Sequence, residues 1–127
     1  MIVLDASAVL ALLGDEPGAS EVAARSPGGL ISTVNLAEVL QKAAQNGVRP
    51  RAVQELMEQA ELGVVPFDDS MALAAAELWR ITKHKGLSLA DRACLALAQA
   101  VTGVVLTMDR AWAGLEIEGV DIHVVQR

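Results

Sequence analysis

Short runs of aliphatic and β-branched residues alternate with helix-length segments along the chain, and that alternation limits the fold more than any other feature. Ile2-Val3-Leu4, Leu30-Ile31-Ser32, Val64-Val65-Pro66-Phe67, Val104-Val105-Leu106 and the stretch from Val120 to Val125 read as strands. Ile2-Val3-Leu4 is apolar at successive positions, so it should be buried on both faces. Ser7 to Leu13, Gly18 to Arg25, Asn35 to Asn46, Pro50 to about Leu62, Ser70 to about His84 and Leu89 to Val101 read as helices. Their ends are marked chemically: Gly14, Gly47 and Gly63 are stops, Pro50 suits a first turn, and Asp68 or Asp69 and Ser88 can cap. The pattern predicts an α/β fold with a mostly parallel central sheet, covered by helices on both faces. Only Asp109 to Gly119 reads as a long loop.

Composition fits one domain over residues 1–127, with no repeat, low-complexity tract or linker. Aromatic residues make up only 2% of the chain (Phe67, Trp79 and Trp112), so Ala, Leu and Val must build the core. The lone Cys94 cannot form an internal disulfide or a cysteine-based zinc site, and its Ala/Leu surroundings mark it as a core residue. No signal-peptide pattern opens the sequence and no apolar run approaches a membrane span, so a soluble, cytoplasmic protein is expected. Ten basic residues against sixteen acidic ones give a net charge of -6. Taken alone, that excess argues against a nucleic-acid binder.

Ligands of open parallel sheets bind beyond the carboxyl ends of the strands. Asp5 follows the first strand directly, and Asp109 follows Val104-Val105-Leu106 after Thr107 and Met108. Glu38 and Asp91 sit early in helices that open onto the same rim. Each acid also has a plainer role. Asp5 can cap the helix near Ser7, Glu38 stands three residues after Asn35 and Asp91 three after Ser88, as in capping boxes, and Asp109-Arg110 can be a surface turn. As a set they are harder to dismiss, because Asp5 and Asp91 lie in apolar sequence where an unpaired charge is costly. An all-oxygen set suits a hard cation such as Mg2+ or Mn2+ rather than zinc. Neither His84 nor His123 falls among these acids, and a metal-held water needs no histidine to supply a nucleophile.

Four segments in order resemble PIN-domain nucleases, and most of all the VapC-type toxins of toxin–antitoxin modules. They are Ile2-Val3-Leu4-Asp5-Ala6-Ser7-Ala8, Thr33-Val34-Asn35-Leu36-Ala37-Glu38-Val39, Ser88-Leu89-Ala90-Asp91 and Leu106-Thr107-Met108-Asp109-Arg110-Ala111-Trp112. The resemblance implies a three-layer α/β/α fold and a Mg2+- or Mn2+-dependent endoribonuclease, with Asp5, Glu38, Asp91 and Asp109 at the family's metal-binding positions. It places Ser7 and Thr107 beside the first and last acids, where they can orient ligands or bond a phosphate. It also implies an RNA substrate, a cognate antitoxin with a basic tail and a homodimer. Some relatives carry a further acid just after the last one; Ala111, Trp112 and Ala113 stand there instead.

Arg80, Lys83, Lys85, Arg92 and Arg110 either line a phosphate path or form a solvated helix end, and Trp112 either anchors its loop or stacks on a base. Two other readings compete. An aspartyl-phosphate domain also places an Asp after a parallel strand, but Ser7 replaces the second acid of the phosphatases and Ala6 breaks the acid pair of receivers. A catalytically inactive interaction module of the same fold would be expected to have lost one or more of the acids. With all acids present, bound cations would offset part of the negative charge, leaving weak, salt-sensitive RNA affinity.

Overall fold

The five apolar runs pair side by side in a single parallel sheet. In a computed structural model that describes all 127 residues, they are β1 (Ile2–Leu4), β2 (Leu30–Ser32), β3 (Gly63–Val65), β4 (Val104–Thr107) and β5 (Asp121–Val124). Their spatial order is β3-β2-β1-β4-β5 and every pairing is parallel. The chain therefore starts at the centre, winds outward through β2 and β3, and returns to lay β4 on the other side of β1. Strand order reverses between β1 and β4, which is where parallel sheets open a crevice. The register there is Ile2 with Val104, Val3 with Val105 and Leu4 with Leu106.

Successive side chains of the central strands enter opposite cores. Leu4, Ile31 and Leu106 face a layer formed by α1 (Ala6–Leu13), α2 (Ala19–Arg25), α3 (Thr33–Gln45) and α4 (Pro50–Gln59), where Val9, Val22, Val39 and Val53 are fully buried. Val3 and Val105 face the other layer, formed by α5 (Asp69–Glu77) and α7 (Leu89–Val101), with Leu78 in the junction that follows α5. A continuous buried run from Ala93 to Ala98 lets α7 pack on more than one side. The expected three-layer α/β/α architecture is thus present, and its cores are aliphatic.

Several boundaries differ from the sequence reading. Helix α3 starts at Thr33, because Ser32 accepts a bond from the Val34 N–H and serves as the cap. Helix α4 stops at Gln59 and β3 begins at Gly63, whose partner in the sheet is Leu30. The expected helix from Ser70 to His84 breaks at Leu78 into α5, a four-residue α6 (Trp79–Thr82) and a 3-10 turn over Lys83–Lys85. The Leu78 carbonyl accepts from the N–H groups of Ile81 and Thr82 and from Thr82 Oγ1, and such back-bonding by threonine bends helices.

The Asp109–Gly119 loop is held down by a 3-10 turn over Arg110–Trp112. It places Trp112 wholly inside the α5/α7 core, so Trp112 is an anchor and is not free to stack on a base. Trp112→Ala is expected to cost about 3–5 kcal/mol through the cavity it leaves, measured as a lower urea midpoint with an unchanged slope.

Candidate functional site

Asp5 stands at the carboxyl end of β1 and caps α1. Its Oδ1 accepts from Ser7 Oγ at 2.7 Å and from the Ala8 N–H at 2.9 Å, and its Oδ2 accepts from Thr107 Oγ1 at 2.5 Å. Each hydroxyl gives its only proton to the carboxylate and takes a backbone N–H from the β4 side: Met108 N–H on Ser7 Oγ at 2.9 Å, Asp109 N–H on Thr107 Oγ1 at 3.1 Å. Two hydroxyls thus join the ends of β1 and β4 around one acid. Asp5 is only 4% exposed. Burial lifts its carboxyl to about 6, against the three hydrogen bonds that favour the charged form, and the negative charge of Asp91 adds to the rise.

Asp91 lies in the first turn of α7. The capping box expected there is real: Ser88 Oγ accepts from the Asp91 N–H at 3.1 Å, and Asp91 Oδ2 accepts from the Ser88 N–H at 2.9 Å. This cap engages only Oδ2, so capping and ligation are compatible. The analogous box at Asn35 and Glu38 does not form, since Ser32 already caps α3. Asn35 instead lies buried inside the helix and donates from Nδ2 to Glu38 Oε1 at 2.9 Å and to the Ala90 carbonyl at 3.0 Å. That second bond crosses to the residue before Asp91. From the sequence Asn35 reads only as a cap, and the one signal of its other role is a carboxamide one turn before an acid.

Cys94, wholly buried on α7, lies within electrostatic reach of three of the acids. Burial pushes its thiol up first, and the charges of Asp5, Asp91 and Glu38 push the same way. Asp109 is not among them. It is exposed, caps the turn over Arg110–Trp112 by accepting from the Ala111 N–H at 2.9 Å, and reaches Asp5 only through Thr107. No three of these carboxylates stand close enough to form a ready-made chelate. The donor set still fits Mg2+, which keeps several waters and takes one or two carboxylates directly. A cation would also relieve the repulsion between Asp5 and Asp91.

Most of the basic residues near the site are committed elsewhere. Arg92 donates from Nη1 to the Ala75 carbonyl, Lys85 donates to the Ala113 carbonyl, and the Lys83 ammonium sits 4.8 Å from the Trp79 ring centre. Arg110 remains beside the site, in a groove with Ser7, Met108, Asp109 and Arg127. Neither histidine joins the acids: His84 is exposed and His123 pairs with Glu21 at 2.5 Å.

The model of the PIN domain matches residues 2–117, a span that includes all four acids and both hydroxyls. This chain belongs to the PIN-domain family. Solved structures share the fold at low identity. A toxin–antitoxin complex from Klebsiella pneumoniae matches at a TM-score of 0.73 and 22% identity, over 94% of this chain and 95% of that one. DNA-bound VapBC from Salmonella typhimurium matches at 0.73 and 19%, over 97% and 96%. VapBC-1 from nontypeable Haemophilus influenzae matches at 0.68 and 17%, over 98% of each chain. No curated protein matches the sequence. No helix of this PIN domain is long and apolar enough to cross a membrane.

The raised carboxyl of Asp5 has a thermodynamic consequence. Between about pH 4 and 6 the folded state binds the proton that the unfolded chain releases, so stability falls as pH rises through that window. The full loss is about 3 kcal/mol. In metal-free buffer, Asp5→Asn should therefore be more stable than the wild type at pH 7.5, with the difference closing toward pH 4. Urea unfolding at the two pH values checks this; equal stability at pH 7.5 contradicts it.

Proposed function

We propose that this PIN domain is a VapC-type toxin, a Mg2+-dependent endoribonuclease that cleaves RNA by hydrolysis, with Mn2+ as an alternative ion. The observation that carries the reading is the Asp5 carboxylate, buried at the switch point between β1 and β4 and facing a second acid. A group so placed lowers stability unless a counter-ion offsets its charge, and that points to a task.

Asp5 and Asp91 would bind the ion, and Glu38 and Asp109 would complete its surroundings. When bound, the ion supplies the activated water and the positive charge that phosphodiester hydrolysis needs. Ser7 and Thr107 fix the orientation of the Asp5 carboxylate. Arg110, in the groove beside Asp109, is placed to meet the RNA backbone. No histidine is available as a general base, which suits a mechanism that draws its nucleophile from solvent.

The toxin role draws on the solved relatives, which are toxin–antitoxin complexes in Klebsiella, Salmonella and Haemophilus. A cognate antitoxin with a basic tail, a homodimer and a cytoplasmic setting belong to the same proposal. The net charge of -6 favours a cationic partner segment. The family match gives no support to an aspartyl-phosphate domain. An inactive interaction module would take up RNA or antitoxin without cutting.

The test is cleavage of a structured RNA by purified protein, with Mg2+ and with excess chelator. Chelation should abolish cleavage, and Asp5→Asn and Asp91→Asn should each lower the rate at least about 100-fold while remaining folded. Wild-type rates in either variant, or undiminished cleavage in chelator, would sink the reading. No cleavage with Mg2+ or Mn2+ would favour the inactive module.

A further inference from the structure

Asn35 is the side chain that ties α3 to the start of α7. It is 1% exposed, and both bonds of its Nδ2 are to groups that carry site acids: the Glu38 carboxylate and the Ala90 carbonyl, one peptide before Asp91. Its orientation is fixed chemically, since a flipped amide would turn its oxygen toward two other oxygens. The cost is visible at the other end, where Asn35 Oδ1 is buried without a partner. A buried unpaired acceptor destabilises the fold. Helix capping does not explain the residue, because Ser32 performs it. Packing does not explain it either, because a leucine has the same branched skeleton of side-chain heavy atoms and no orphaned oxygen.

What the amide contributes is geometry. One N–H holds the Glu38 carboxylate, the other holds the backbone that leads into the Asp91 cap. We infer that Asn35 is a positioning residue that sets the separation of Glu38 from Asp91 and thereby the site's affinity for a divalent cation. The inference rests on the metal-dependent reading above. Groups that orient ligands in this way typically govern affinity by 10- to 100-fold.

The test is Mn2+ binding to the metal-free full-length chain, read from the electron paramagnetic resonance signal of free Mn2+, with folding checked by circular dichroism. Asn35→Leu and Asn35→Ser should each weaken binding about 10-fold or more. Ser26→Ala, which removes another buried unpartnered oxygen, should leave affinity unchanged. In a Glu38→Gln background most of the Asn35→Leu effect should vanish, because the two residues act as a unit. Wild-type affinity in a folded Asn35 variant overturns the inference, as does a loss that persists in full beside Glu38→Gln. If Asn35→Leu does not fold, Asn35→Ser decides, and unfolding of both assigns Asn35 to the scaffold alone and also overturns it. A wild-type chain that takes up no Mn2+ overturns the metal-dependent reading itself, a result distinct from any failure at Asn35.

Discussion

One carboxylate, Asp5, shared between two hydroxyls governs the centre of this molecule. It belongs to β1, and the threonine that bonds its Oδ2 belongs to β4, 102 residues later. Ser7 closes the arrangement by bonding Asp5 with its proton and the Met108 N–H with its oxygen. The register of the two central strands, the start of α1 and the path of the chain into the Asp109 loop all meet at this group. Its three hydrogen bonds do not fully offset the burial of the charge. The fold therefore holds at its centre a residue that a neutral amide would serve better on stability alone at neutral pH.

The remaining acids are held by more ordinary means. Asp91 is a helix cap with one oxygen engaged, and Asp109 is a turn cap on the surface. Caps of this kind cost the fold nothing, so an acid can serve as a cap and still keep an oxygen free at the rim of a domain with so little polar core. Among the candidate acids and the amide beside them, Asn35 and Asp5 are the exceptions: each leaves a polar or charged group incompletely compensated. Local rules fail at those two residues, as expected where a site rather than a core is being built.

Much of this was legible in the sequence, because much of it is local. The strands announce themselves as β-branched runs, Ser88 and Asp91 show their cap by spacing, and Asp5 follows its strand directly. The start of α3 was not legible. Ser32 reads as the end of Leu30-Ile31-Ser32, and Asn35 is an equally good cap three residues on. Only the sheet decides, by pairing Ser32 with Val65 and handing the chain to the helix there. The partner of Asn35 lies 55 residues away, so no local pattern reveals its second bond. The bend at Leu78 depends on Thr82 being buried, and the diversion of Arg92 to the Ala75 carbonyl depends on how α5 packs on α7. Periodicity specifies neither.

The pairing of β1 with β4 also sets when the site comes into being. During synthesis Asp5 leaves the ribosome long before Thr107, with β2, β3 and seven α-helices made between them. Until β4 slots in beside β1, the first acid lacks its threonine and the rim has no second half. Contacts of such sequence separation form late, because a long loop must close first. A growing chain or a truncated fragment thus carries the first acid without the pocket, and the assembled rim is a property of the finished domain.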